Sequence, residues 1–133
     1  MVNAISKNLL SFIKNSPSCF HSIASIVKVL KREGFIKVNE NENFNLLKNG
    51  KYYVTRNDSS LIAFKIGEEL DSYSFNIVAS HSDSPSFKVK PICDLNTGHY
   101  HKLNVEAYGG MLCATWFDRP LSIAGRVDRK SVV

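Results

Sequence analysis

The chain has 133 residues, 44% of them hydrophobic and 22% charged, a balance that excludes disordered and fibrous architectures and allows one domain of ordinary size whose core needs no disulfides. Its formal charge is +5, but the 17 Lys and Arg are scattered, adjacent only at Lys31-Arg32 and Arg129-Lys130, which describes a solvated surface and excludes a nucleic-acid partner. The cysteines, Cys19, Cys93 and Cys113, show no C-x-x-C spacing, which speaks against a disulfide framework and a cysteine zinc site and for a reducing, cytoplasmic setting.

In chain order, Ile5, Leu9, Phe12 and Ile13 recur at helical spacing and predict a short helix over residues 3–14 with that face packed. The same stretch lacks the unbroken apolar centre of a signal peptide, and no segment is long and apolar enough to engage a membrane as a span. A second helix is expected from Ser16, with Pro17 in its first turn, to a left-handed stop at Gly34. Phe20, Ile23, Ala24, Val27 and Leu30 form its apolar stripe, widened by Ile26 and Val29, which sets it against a sheet.

After an Asn-rich connection over residues 39–49 the pattern turns to β. Residues 51–56 and 61–66 read as a hairpin joined by Asn57-Asp58-Ser59-Ser60. The run Phe75-Asn76-Ile77-Val78-Ala79-Ser80 has the composition of a buried central strand. Residues 86–91 and 101–108 alternate as strands, Gly109-Gly110 marks a turn or bulge, and residues 121–127 start a further element. The fold class is α/β: a partial mixed sheet with two N-terminal helices over residues 1–97, then the start of a β-rich second domain over residues 98–133.

His81 and Asp83 follow the apolar run, where open α/β sheets gather ligands. A spacing of two lets both side chains point to one side of an extended backbone. One imidazole nitrogen can then bind a metal while the carboxylate fixes ring and tautomer. Taken alone, H-x-D fits a hydrogen-bonded turn better than a metal site.

The segment His81-Ser82-Asp83-Ser84-Pro85, followed by Phe87-Lys88-Val89-Lys90-Pro91, resembles the H-T-D-S-P region of aspartyl aminopeptidases and the related vacuolar-type aminopeptidase I. Three other stretches resemble the same family in the same order. Ser16-Pro17-Ser18-Cys19-Phe20-His21 is similar to its S-P-x-P-F-H helix start, Gly50 to Arg56 to an early strand, and Glu106 to Val127 to its E-x-Y-G-G-G…W-F-D-R-D-L-x-x-A-G-R-V segment. Cys19, Met111 and Pro120 depart from the usual proline, third glycine and acidic residue.

The resemblance implies a zinc-dependent aminopeptidase that removes N-terminal, preferentially acidic, residues from peptide substrates and works as a homo-oligomer with two Zn2+ ions in each complete active site. It implies His81 as a metal ligand and Asp83 as the catalytic carboxylate that orients it. The family site also needs further carboxylates, a second histidine and a glutamate base from later in the chain, so the 133 residues alone are expected to be an incomplete N-terminal segment without turnover. The rival reading is a non-catalytic binding or assembly module derived from a truncated peptidase.

The remaining candidates have plainer readings. His21 reads as a packing or capping residue of its helix. His99 and His101 read as solvent-facing, having no acidic partner close in sequence. Ser82, Ser84 and Ser86 lack the G-x-S-x-G elbow of a serine triad. Cys113 reads as a buried thiol, and Trp116 to Arg119 as a core pair beside a salt-bridged corner.

Overall fold

The computed structural model describes residues 3–69 and 74–129, which leaves Lys130 of the basic pair Arg129-Lys130 outside the described residues. Asn3 opens the first helix, α1 (Ala4–Lys14), by accepting the Ile5 N–H on its side-chain oxygen at 2.6 Å, which satisfies one of the unpaired donors of the first turn. The expected helix is therefore present, but its apolar face is not packed. Ile5, Leu9, Leu10, Phe12 and Ile13 are all exposed. Periodicity specifies the face a helix can bury; whether another element lies against it is decided elsewhere in the fold.

The second helix, α2 (Cys19–Arg32), starts three residues later than Ser16. Ser18 is extended and serves as the N-cap residue, its carbonyl accepting the Ser22 N–H at 2.9 Å, so Pro17 precedes the helix and is not part of its first turn. The other end is as expected. Gly34 adopts a φ of 81°, the Phe35 N–H returns to the Leu30 carbonyl and the Gly34 N–H to that of Lys31, the paired bonds of a Schellman stop. Lys51 adds its ammonium to the Glu33 carbonyl at 3.1 Å, a cation at the negative end of the helix. Ile23 is buried, and Phe20, Ile26, Val27 and Leu30 are half-buried; Ala24 and Val29, expected in the stripe, are exposed, and Ser22 is buried instead.

Three strands make a mixed sheet in the order β1 (Ile36–Lys37), β2 (Lys51–Arg56), β3 (Ser60–Lys65), with β1 parallel and β3 antiparallel to β2. α2 packs against β3. The hairpin is the one foreseen, whereas β1, two residues long, is too short to show a period. Tyr52 and Tyr53 are 4% and 1% exposed. Successive side chains of a strand point to opposite faces, so β2 is covered on both. The Tyr52 ring lies 5.7 Å from that of Phe64, and its hydroxyl accepts the Leu47 N–H at 2.9 Å. The hairpin turns through Asn57 and Asp58, both left-handed at φ 51° and 52°, and the Ser59 N–H closes it on the Arg56 carbonyl at 3.2 Å. Three residues lie between the paired Arg56 and Ser60, and the short polar side chains of Asn57 and Asp58 tolerate the left-handed backbone.

The run over residues 75–80 is not a buried strand. It belongs to no helix or sheet, and Phe75, Ile77 and Val78 are 79%, 81% and 99% exposed. Apolar, β-branched composition supplies a segment that suits a sheet, but the strand itself exists only through ladder bonds to neighbours.

Residues up to Asp83 and from Ala124 form one compact unit, and Ser84–Ile123 another. The second holds an antiparallel pair, β4 (Ser86–Asn96) and β5 (His101–Tyr108). Thr97, expected to close the first domain, lies in the connection between these strands. β4 continues past Pro91, where the expected strand stopped, because the register shifts between Val89 and Asp94. Pro91 lacks an N–H for the ladder and sits in that bulge; Asn104 donates its side-chain amide to the Ile92 carbonyl there at 3.2 Å. Trp116 stands edge-on to Phe87 at 5.7 Å, with Phe117 at 6.4 Å. No helix or strand forms over residues 121–127, and Cys113, expected to be buried, is exposed.

Tyr53→Ala is expected to lower the stability of the chain by about 3–5 kcal/mol, the usual cost of deleting a buried aromatic ring. Leu10→Ala, on the exposed face of α1, should stay within about 0.5 kcal/mol of the parent; urea titrations of both variants check the contrast. A second expectation concerns pH. Arg56 bonds Glu40 at 2.7 Å and holds its carboxyl below the ordinary carboxylate range, chiefly by hydrogen bonding, with desolvation opposing it next and the charge of Arg56 adding least. A carboxyl lowered on folding contributes stability above its unfolded pKa and loses it as pH falls through the folded value. The parent should therefore lose more stability on acidification than Glu40→Gln, a modest difference because both groups are solvated, read by urea titration at neutral and acidic pH.

Candidate metal centre

His81 and Asp83 lie outside any helix or strand, after the exposed 74–80 segment, with a bend at Ser82 between them. Their two-residue spacing puts the side chains together, with His81 Nδ1 3.0 Å from Asp83 Oδ1 and 2.9 Å from the Asp83 carbonyl oxygen. Both partner atoms are acceptors, so Nδ1 carries the hydrogen and the Nε2 lone pair is the one left for another ligand. Ser82, between them, donates its hydroxyl to the Ser59 carbonyl in the β2–β3 turn at 2.8 Å. The imidazole and carboxylate thus associate with each other while the intervening residue is tied to the hairpin.

The pair is well solvated, with side-chain exposures of 79% for His81 and 42% for Asp83. As an ion pair it contributes little; its consequence is geometric. A neutral imidazole whose Nδ1–H is held by a carboxylate is the usual arrangement of a zinc-ligating histidine, and in that respect the residues fit the metal. They supply one ligand, whereas zinc takes four. Among the described residues, no group of three or more His, Cys, Asp or Glu side chains gathers to hold an ion.

The other sequence candidates fall elsewhere. His21 is in the first turn of α2, its Nδ1 2.8 Å from the Ser18 hydroxyl, a side-chain contact within the first turn and not a cap on a backbone N–H. His101 does have an acidic neighbour, Asp94, at 3.9 Å across the β4–β5 pair; the turn makes them cross-strand neighbours although they are seven positions apart in the chain. Both are well exposed. Cys19, Cys93 and Cys113 are free thiols. An open groove of about 630 Å³, lined by Val38, Glu40, Phe44, Tyr52 and Thr55 among others, contains neither His81 nor Asp83. Sequence reasoning missed the part taken by Ser82, because its partner is 23 positions away and no local spacing encodes it.

Residues 12–132 match the family described as aminopeptidase I zinc metalloprotease (M18). The chain is 50% identical over 123 residues to a probable M18 family aminopeptidase 2 of Clostridium acetobutylicum, covering 91% of this chain and 28% of that protein. It is 44% identical over 126 residues to an aspartyl aminopeptidase of Dictyostelium discoideum, covering 94% of this chain and 26% of the relative. Among solved structures, mApe1 of Chaetomium thermophilum superposes with a TM-score of 0.73 at 30% identity, over 85% of this chain and 26% of that one. The S. cerevisiae mApe1 dodecamer gives 0.71 at 28% identity, over 87% and 28%. The chain therefore spans between a quarter and a third of the length of these relatives. The α/β fold, the collinear motifs and the match over residues 12–132 agree: the chain belongs to the M18 family of aminopeptidase I zinc metalloproteases.

Proposed function

We propose that this chain forms one side of the active site of a zinc-dependent aminopeptidase that removes N-terminal, preferentially acidic, residues from peptides. The observation that carries the reading is the His81–Asp83 pair, which holds the imidazole by Nδ1 and leaves Nε2 for a metal. Family membership supports the zinc, and the aspartyl aminopeptidase of Dictyostelium supports the acidic preference. His81 is the metal ligand. Asp83 is the carboxylate that fixes its tautomer and ring direction and raises its basicity. Zinc, when bound, supplies a Lewis acid that polarises a peptide carbonyl and makes hydroxide from water near neutral pH.

In a protein of its relatives' length, further segments bring the other metal ligands and the glutamate base, and cover the apolar run at Phe75, Ile77 and Val78. Residues 98–133 begin a β-rich region used in subunit association. The dodecameric mApe1 supports a homo-oligomer. The free thiols accord with a cytoplasmic setting, and no described helix is long and apolar enough to cross a membrane.

In the full-length protein carrying this chain, His81→Ala should abolish stoichiometric zinc and release of N-terminal aspartate. Asp83→Ala should weaken zinc about 10- to 100-fold, as loss of an orienting carboxylate does elsewhere; chelator competition and a peptidase assay measure both. Unchanged zinc content and activity in His81→Ala would refute the ligand assignment. The 133-residue chain alone, with a single imidazole ligand at this position, should show no aminopeptidase turnover, and robust release of N-terminal aspartate by the purified chain would overturn that.

A further inference from the structure

Arg126 is 69 positions from Asn57 and lies against it. Its guanidinium donates from one terminal nitrogen to the Asn57 carbonyl at 2.6 Å and from the other to the Asn57 side-chain oxygen at 3.0 Å. The Asp128 carboxylate accepts from the remaining edge at 3.2 and 3.0 Å, and the flat face sits 4.5 Å from the centre of the Phe20 ring. Fork, carboxylate and ring leave the group little freedom, and the side chain is 30% exposed. A lysine retains the charge but cannot make the two-pronged contact.

The residue so gripped begins the hairpin turn. Asn57 and Asp58 are both left-handed, a conformation that residues other than glycine adopt at a cost and keep when their surroundings hold them in it. Arg126 satisfies both the carbonyl and the side-chain oxygen of Asn57, and so holds the turn in that form. Two residues on, the Ser59 carbonyl accepts the Ser82 hydroxyl, and Ser82 separates His81 from Asp83. All of these residues belong to one compact unit.

We infer that Arg126 is a positioning residue for the metal ligand: it fixes the Asn57-Asp58 turn, the turn presents the Ser59 carbonyl to Ser82, and the Ser82 tether sets the direction of the His81 imidazole. The inference rests on His81 being a zinc ligand. The adjacent segment, residues 74–80, is exposed throughout, so the tether carries more of the burden of ordering His81 than it would beside a packed strand.

The test is a double-mutant cycle on zinc affinity in the full-length protein, by chelator competition, with Arg126→Lys, Ser82→Ala, the double variant, Ser82→Thr and His81→Ala. Arg126→Lys and Ser82→Ala should each weaken zinc by about 2- to 30-fold, the range for residues that act on a site through others. The double variant should bind no more weakly than the weaker single, because both changes cut the same connection, and Ser82→Thr, which keeps the hydroxyl, should lie within about twofold of the parent. Independent effects that multiply, or an unchanged affinity in Arg126→Lys with circular dichroism like the parent's, would overturn the inference. Should Arg126→Lys unfold the protein, the comparison of Ser82→Ala with Ser82→Thr decides, equal affinities refuting the tether. His81→Ala separates the two readings: if it leaves zinc affinity intact the peptidase assignment itself fails, and if it removes zinc while the other variants do not, only the positioning role fails.

Discussion

Two consecutive tyrosines, each buried on its own face of β2, hold the larger unit together. Fully burying an aromatic side chain is favourable by about 1.5–3 kcal/mol, and β2 does this twice in adjacent positions, with Tyr52 and Tyr53 at 4% and 1% exposure. The His81–Asp83 pair, by contrast, is a solvated contact of a kind worth about 0–1 kcal/mol. The pair does not organise its own surroundings; it takes its place from the hairpin that β2 anchors, through the Ser82–Ser59 bond.

The same contrast explains the apolar surface. The α1 face and the 75–80 run have the composition of core elements and the exposure of loops. A parallel strand gains its neighbours only through crossovers of a dozen or more residues, so a segment can be written for the centre of a sheet and find no partner within a short chain. The relatives are three to four times as long as the matched segment. Phe75, Ile77 and Val78 are the side chains that, under the proposed function, further segments cover.

What was legible in the sequence was local. Gly34 announced the end of α2 because a left-handed stop selects glycine, Asn57-Asp58 announced the turn because those residues tolerate positive φ, and the bounds of β5 followed from alternation. The H-x-D spacing correctly brought His81 and Asp83 together. Long-range facts were not legible. Ser18 is as good an N-cap type as Ser16, so the start of α2 after Pro17 had a local signal that the choice of Ser16 passed over; nothing in residues 86–91 showed that a bulge would carry β4 beyond its proline, and β1 is too brief for any pattern. Cys113 looked buried because its neighbours are apolar, yet in a four-residue 3₁₀ turn they do not surround it. Arg126 belonged to a recognisable motif, but its partner at Asn57 is specified by the fold alone.

This division between local and distant information bears on how a metal site of this kind is built. A ligand and its orienting carboxylate can be written two residues apart, because so short a connection, here a bend at Ser82, brings their side chains together at little entropic cost. Direction is a different requirement. An exposed imidazole can rotate with its tripeptide, and converging it with ligands from other parts of a chain demands that the tripeptide be fixed to something rigid. Here the rigid element is a hairpin with both faces of its central strand buried, and its turn is kept in a left-handed form by an arginine from far along the chain. Under the proposed reading, metal chemistry can therefore reside in an exposed, weakly paired His-x-Asp unit because the order it needs is supplied by the packed sheet behind it.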